Sequence, residues 1–237
     1  MSYLQNSTYS IADPLAQQAA QQTFITRVYG WMALGLLITA MTAGYVASSA
    51  AIMQTILGNR LVFYALIGAE LILVFGLSAA ISKISPAAAT GAFLLYAALN
   101  GATLSVIFLI YTAASLGSVF LVTAGMFGAM AIYGTATKRD LTALGSFMFM
   151  GLIGVIIASF VNYFLKSAMI YWISSYFGVF IFVGLTAYDA QKIKNIAGQG
   201  LSAEDSGRAS VMGALALYLD FVNMFLFLLR IFGRRRD

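Results

Sequence analysis

The segment Leu215 to Gly233, "LALYLDFVNMFLFLLRIFG", is apolar enough to lie in lipid, yet it carries a carboxylate, Asp220, near its middle. An ionised Asp at the centre of a spanning helix is unfavourable by about 2.5 to 3.5 kcal/mol on insertion scales, so Asp220 needs a partner or a proton. The apolar character extends along the whole chain. Of its 237 residues, 61% are hydrophobic and only 9% charged, whereas soluble domains hold roughly a quarter charged residues. From Ile84 to Thr137 there is no charged side chain at all, enough for two spans of about 20 residues. The fold class is all-α, a polytopic membrane protein.

Splitting the chain at charges and at polar, Gly, Ser or Pro clusters leaves seven apolar segments: 28–50, 61–81, 87–110, 115–136, 141–164, 168–190 and 209–232. The breaks "QTILGNR", "SKISP", "YTAAS", "TKRD" and "LKS" are short, so successive helices are antiparallel and the bundle is compact. Only the sixth connection, "QKIKNIAGQGLSAEDSGR", is long. Residues 1–26 are polar and rich in Gln and Ala, without the basic start and apolar run of a cleavable signal. They read as a short, poorly ordered N-terminal tail before a transmembrane domain of residues 27–237.

The net charge of +5 lies mostly in loops and in the terminal "RRR", where basic residues read as membrane anchors rather than a nucleic-acid surface. With the N-terminus cytoplasmic, the inner loops hold Arg27, Lys83, Lys138, Arg139, Lys192, Lys194 and Arg208, and the outer loops only Arg60 and Lys166. That bias favours this orientation. Seven full crossings would place Arg234, Arg235 and Arg236 outside, against the rule; the alternative is a last segment that re-enters and returns. Seven crossings are expected.

Cysteine and histidine are both absent. Disulfides, thiolate metal sites, cysteine nucleophiles, a serine triad and imidazole ligands for zinc are thereby excluded, and no cofactor is expected. Any response to pH near neutrality must come from carboxyl groups that hold a proton there.

Eight acidic residues exist. Asp13, Asp140, Glu204, Asp205 and Asp237 fall in tails or loops; Glu70, Asp189 and Asp220 lie within apolar segments. Asp189, in "VGLTAYDAQKIK" near the end of the sixth segment, and Asp220, in the seventh, can approach from the same membrane side. Two facing carboxylates in a poor dielectric cannot both ionise cheaply, so the pair shares a proton. Losing it replaces a hydrogen bond with repulsion, a proton-operated latch. Depth is an obstacle. Asp189 lies about 5 to 8 Å of helix from Lys192 and Lys194, whereas Asp220 is about 16 Å past the start of its segment. The two meet only if the sixth helix runs on with its lysines snorkelling, or the seventh enters the membrane later.

Glu70, in "YALIGAELILVFG", is expected to face the same cavity and attract a cation, while Tyr218 and Asn223 are candidates for hydrogen-bonding the latch. Three carboxylates fall short of the six to eight oxygens that Ca²⁺ usually takes, so tight binding by side chains is not expected. Small residues recur at helical spacing, with Ala124, Gly128, Ala131 and Gly134 in the fourth segment and Gly151, Gly154, Ala158 and Asn162 in the fifth. These are read as close helix packing.

Taken together, "GLTAYDAQKIK" (184–194) and "ALALYLDFVNMFLFLLRIFG" (214–233) resemble the signature of the Bax inhibitor-1, or transmembrane Bax inhibitor motif, family. Its bacterial YbhL-type branch also matches "VYGWMALGLLITA", "AGMFGAMAIYG" and "TKRDL", and the resemblance runs from Arg27 onward. It implies seven helices with the last wrapped by the other six, a bacterial inner-membrane location, and a pH-sensitive Ca²⁺ leak in which Asp189 and Asp220 are the sensing pair. Some bacterial relatives pair this dyad with a basic residue near the end of the second helix. Here "LSAAISKIS" offers only Lys83, at an offset. Bacterial relatives are also connected with regulation of membrane proteases.

Four functions are thus distinguished. One is a pH-gated cation leak; another is a non-transporting regulator that binds a membrane protease or other membrane partner through its N-terminal tail. A third, a proton-coupled exchanger, differs from a leak by stoichiometric proton movement. The fourth, intramembrane aspartyl proteolysis of the presenilin type, requires "GxGD" and "PAL", but the chain has "LYLD" and no "PAL". An enzyme is not expected.

Overall fold

The computed structural model describes residues 14–236, which contain nine α-helices. α1 (Pro14–Ser48), α3 (Arg60–Ala80), α4 (Pro86–Leu104) continued by α5 (Ile107–Ile110), α6 (Ala113–Ala136), α7 (Thr142–Leu165), α8 (Ala168–Ala197) and α9 (Ala203–Phe232) supply seven stretches long and apolar enough to cross a membrane. Short polar caps set their starts. Ser49 and Asn59 accept backbone N–H groups at the heads of α2 (Ala50–Gly58) and α3, and Ser85, Thr112, Ser167 and Ser202 do so for α4, α6, α8 and α9. Before α7, the exposed Asp140 accepts from the Thr142 hydroxyl and N–H, which holds its carboxyl below the usual range.

Three boundaries differ from those expected. Helix α1 starts at Pro14, so the part of the expected tail from 14 to 26 is helical, and Phe24 is already buried; residues 1–13 lie outside the described residues. The stretch "QTILGNR" falls largely within α2, whose Met53 and Ile56, three apart, pack on Val46, Phe63 and Leu66. The third span is interrupted after Leu104, where the Ser105 hydroxyl donates to the Ala102 carbonyl at 2.6 Å and competes with the helical ladder.

Helix α9 is the axis of the bundle. In its most apolar window 61% of residues are buried, against 39% or less in the other spans. Its buried side chains, among them Val211, Leu215, Leu217, Tyr218, Phe221, Met224 and Leu228, cover about 220° of its circumference at 100° per residue, and the part-buried Met212, Leu219, Asn223 and Leu226 lie in the remaining sector. So wide an apolar face belongs inside, and α1, α4, α6 and α8 pack around it. Helix α7 presents Phe147, Met150, Ile153, Ile157, Phe160 and Phe164 outward, a face for lipid.

The last segment runs the full length of the bundle. Beyond α9, Tyr111 and Arg235 form an antiparallel bridge, with Thr112 N donating to Arg234 O and Arg236 N to Ile110 O. Tyr111 and Thr112 join the third and fourth spans at the end opposite the α8–α9 turn. The terminal arginines therefore emerge there, and re-entry is excluded.

Candidate functional site

Helices α8 and α9 run antiparallel in a register read from three pairs: Ile193 lies against Gly213, Asp189 against Asp220, and the Phe182 ring stacks on Phe227. This resolves the depth obstacle. Asp189 sits about 12 Å before the end of α8 and Asp220 about 26 Å into α9 at 1.5 Å per residue. The first two turns of α9 extend past α8, so its packed part begins near Ser210. Those turns lie under α4: Gly207 abuts Pro86, and Arg208 donates to the Ile84 carbonyl while pairing with Glu204 and Asp205.

The carboxyl groups of Asp189 and Asp220 lie within hydrogen-bonding reach of each other. Asp220 is 4% exposed, and its Oδ2 is a buried oxygen to which no protein group donates among the described residues. Two carboxylates offer only acceptors, so the one hydrogen bond open to this pair requires a proton on one of them. Asp189 is half-buried, and the ammonium of exposed Lys192 acts on it electrostatically.

The Asp189 end of α8 is fastened to the α6–α7 turn. Buried Gln191 accepts from Leu141 N and donates to Arg139 O, both at 2.8 Å, and Lys194 Nζ donates to Thr135 O at 2.6 Å. Close by, Gly134 of α6 meets the Ala187 backbone so tightly that an added Cβ would stand 2.9 Å from its carbonyl carbon. Asp189 is thus held on a rigid strut.

Glu70 does not join the pair. It is buried on α3, accepting from Asn100 Nδ2 at 3.1 Å and Thr103 Oγ1 at 2.5 Å, both on α4. Asn100 Oδ1 accepts in turn from Tyr218 at 3.0 Å, and the Tyr218 hydroxyl lies 2.7 Å from Thr39 Oγ1 of α1. The Tyr218 hydroxyl thus donates to Asn100, whose amide donates on to Glu70, while the Thr39 hydroxyl also has the Gly35 and Ala97 carbonyls as acceptors, at 3.0 and 2.9 Å. Tyr218 therefore serves this network and not the latch, because two residues along a helix turn it about 200° from Asp220. Asn223 donates to the Leu219 carbonyl of its own helix at 2.8 Å. Lys83 is exposed in the α3–α4 turn, and the cation acting on Asp189 is Lys192. Among the described residues no three acidic groups gather as a metal site.

Tyr218→Phe keeps the edge-on packing against Phe93 and Tyr96 but removes the link between Asn100 and Thr39. A loss of about 1 kcal/mol in detergent thermal unfolding is expected, since interhelical hydrogen bonds in membranes are individually modest. Asn100, Thr103, Thr39 and Gln191 were not singled out by sequence. An amide within the charge-free stretch, Asn100 in "YAALNGATL", was the available signal.

A family model described as inhibitor of apoptosis-promoting Bax1 matches residues 21–237. The inner membrane protein YbhL of Escherichia coli K12 is 54% identical over 230 residues, covering 96% of this chain and 97% of that protein. Proteins of Borreliella burgdorferi, 46% identical over 217 residues (90% of this chain and 93% of that protein), and of Deinococcus radiodurans, 44% over 216 residues (91% and 92%), are also similar. With that match over nearly its whole length, seven spans and a last helix more buried than any other, the chain belongs to the Bax inhibitor-1 family of multi-pass membrane proteins.

Proposed function

We propose that this chain is a non-enzymatic cation leak, with Ca²⁺ the chief permeant ion, whose opening is set by the proton shared between Asp189 and Asp220. One observation carries the reading: a buried Asp220 carboxyl, one oxygen of which has no donor among the described residues, lies within hydrogen-bonding reach of a second carboxyl on a neighbouring helix. With the proton present the pair is a hydrogen bond that ties α9 to α8; without it, two acceptors repel and α9 is biased toward another packing. Farther along α9, an apolar cavity of about 150 Å³ is bounded by Leu36, Thr39, Phe120, Phe221 and Phe225. A space so small and apolar stays dry, so this conformation is a closed one, gated by dewetting. The choice of Ca²⁺ draws on the resemblance to that family's signature. The dispersed carboxylates suit transit rather than tight binding.

In proteoliposomes, wild-type Ca²⁺ flux is expected to change about tenfold between about pH 5 and pH 8, a shift of about 1.4 kcal/mol between closed and open states. Asp189→Asn and Asp220→Asn, which place a permanent donor in the pair, should flatten that dependence. Unchanged profiles in both variants would remove the pair from gating.

A second reading, a regulator that binds a membrane protease, draws on α1, whose residues 17–20 are exposed beyond the packed core. Deleting residues 1–22 would then abolish association in a pull-down while leaving ion flux intact.

A further inference from the structure

The largest cavity described, about 920 Å³, lies at the end of the bundle away from the α8–α9 turn, beside the arginines that the charge rule would place elsewhere. It is a cleft between the start of α6 and the end of α9, lined by Ser115, Ser118, Val119, Val122, Phe232 and Arg234 to Arg236. The tail is built into it by four hydrogen bonds. Besides the backbone bonds of Thr112 and Arg236 that make the bridge of Tyr111 with Arg235, Arg234 N donates to Ser115 Oγ at 2.9 Å, and Arg236 Nη1 donates to Phe108 O at 2.9 Å. The Arg235 side chain also bonds the Tyr111 hydroxyl, whose pKa burial pushes up and Arg235 pulls back. Arg230, stacked over Phe227 with its carbon 5.1 Å from the ring centre, adds a fourth positive charge nearby.

Nothing among the described residues neutralises this charge. The ion pairs present belong to Arg208, at the far end, and Glu70, Asp189 and Asp220 are engaged deeper in the bundle. Asp237, next in the chain, lies outside the described residues. The other wall of the cleft is apolar and faces outward: Val122 is 49% exposed and Phe232 66%. Guanidinium groups at the membrane boundary above an outward apolar wall match a phosphodiester joined to an acyl chain.

We propose that this cleft binds an anionic phospholipid, its headgroup phosphate held by Arg234, Arg235 and Arg236 and an acyl chain lying along Val119, Val122 and Phe232. The site is independent of the leak reading, because it uses none of the buried carboxyls. It also accounts for a basic tail on the side that the charge bias disfavours: the tail is fixed there by backbone pairing and meets lipid phosphates.

The test is native mass spectrometry of full-length protein in detergent, supplied with equal phosphatidylglycerol and phosphatidylcholine. Wild type should retain phosphatidylglycerol at least about tenfold over phosphatidylcholine, since a basic residue near the surface contributes a factor of about five and three together up to about a hundredfold. Arg234→Gln, Arg235→Gln and Arg236→Gln together should bring that preference to within about twofold, while Lys138→Gln with Arg139→Gln at the other end leaves it unchanged. Val122→Trp, which keeps every arginine and fills the cleft, should also lower retention, and it serves if the triple variant does not fold. No preference in wild type, as when Asp237 neutralises the arginines, overturns the proposal. So does an unaltered preference in Val122→Trp, or displacement of the lipid by about 10 mM inorganic phosphate, which would make the cleft a site for the free anion.

Discussion

Gly134→Ala is expected to destabilise the protein by about 2 kcal/mol, whereas Gly128→Ala on the same helix should be neutral or stabilise by up to about 1 kcal/mol. At Gly134 a Cβ would overlap the Ala187 carbonyl oxygen and stand 2.9 Å from its carbon. Backbone cannot swing away as a flexible side chain can, so α6 must lift off α8. At Gly128 an added Cβ meets nothing within 4 Å. Thermal unfolding of both variants in one detergent checks the contrast, and equal midpoints would refute the close crossing. Because Ala187 precedes Asp189 by two residues, Gly134→Ala should also disturb the carboxyl pair, which the distant Gly128→Ala should leave intact.

The carboxyl pair yields the second large effect through a double-mutant cycle. Asp189→Leu leaves the Asp220 carboxyl with no partner in a buried setting, which costs about 2 kcal/mol. Asp189→Leu with Asp220→Leu replaces both polar groups by apolar ones, and such replacement is close to neutral. The double variant should therefore be more stable than the first single one, with a coupling of about 1 to 2 kcal/mol. Additive effects would mean that the two carboxyls do not interact, contrary to their placement across α8 and α9.

Both predictions depend on placements that differ in how far sequence revealed them. The pair was visible as two acids in apolar segments, since a carboxylate in lipid demands an explanation whatever the fold. Its depth was not, because sequence marks where apolar character begins and not where a helix starts to pack. Helix α9 starts at Ala203 and runs two turns before meeting α8, and those polar turns, with Glu204, Asp205 and Arg208, read as loop. Glu70 shows the same limit. Its burial was legible, but its partners Asn100 and Thr103 lie on α4. Tyr218 and Asn223 were assigned to the latch by nearness in the chain, whereas helical rotation turns Tyr218 toward Asn100 and Asn223 bonds back to the Leu219 carbonyl of its own helix.

By itself, the sequence determined that this is a helical membrane protein with seven spans, and that its last helix carries the acid needing a partner. Hydrocarbon lets a chain satisfy its backbone only as helices or a closed barrel, and apolar runs of about 20 residues select the helix, so composition and segment lengths suffice. Only the tertiary structure decided which glycines press on a neighbouring backbone, which polar groups meet, and where the terminal arginines come to rest. Those outcomes depend on the rotation and register of one helix against another, and lipid, equally apolar on every side, leaves both to side-chain fit.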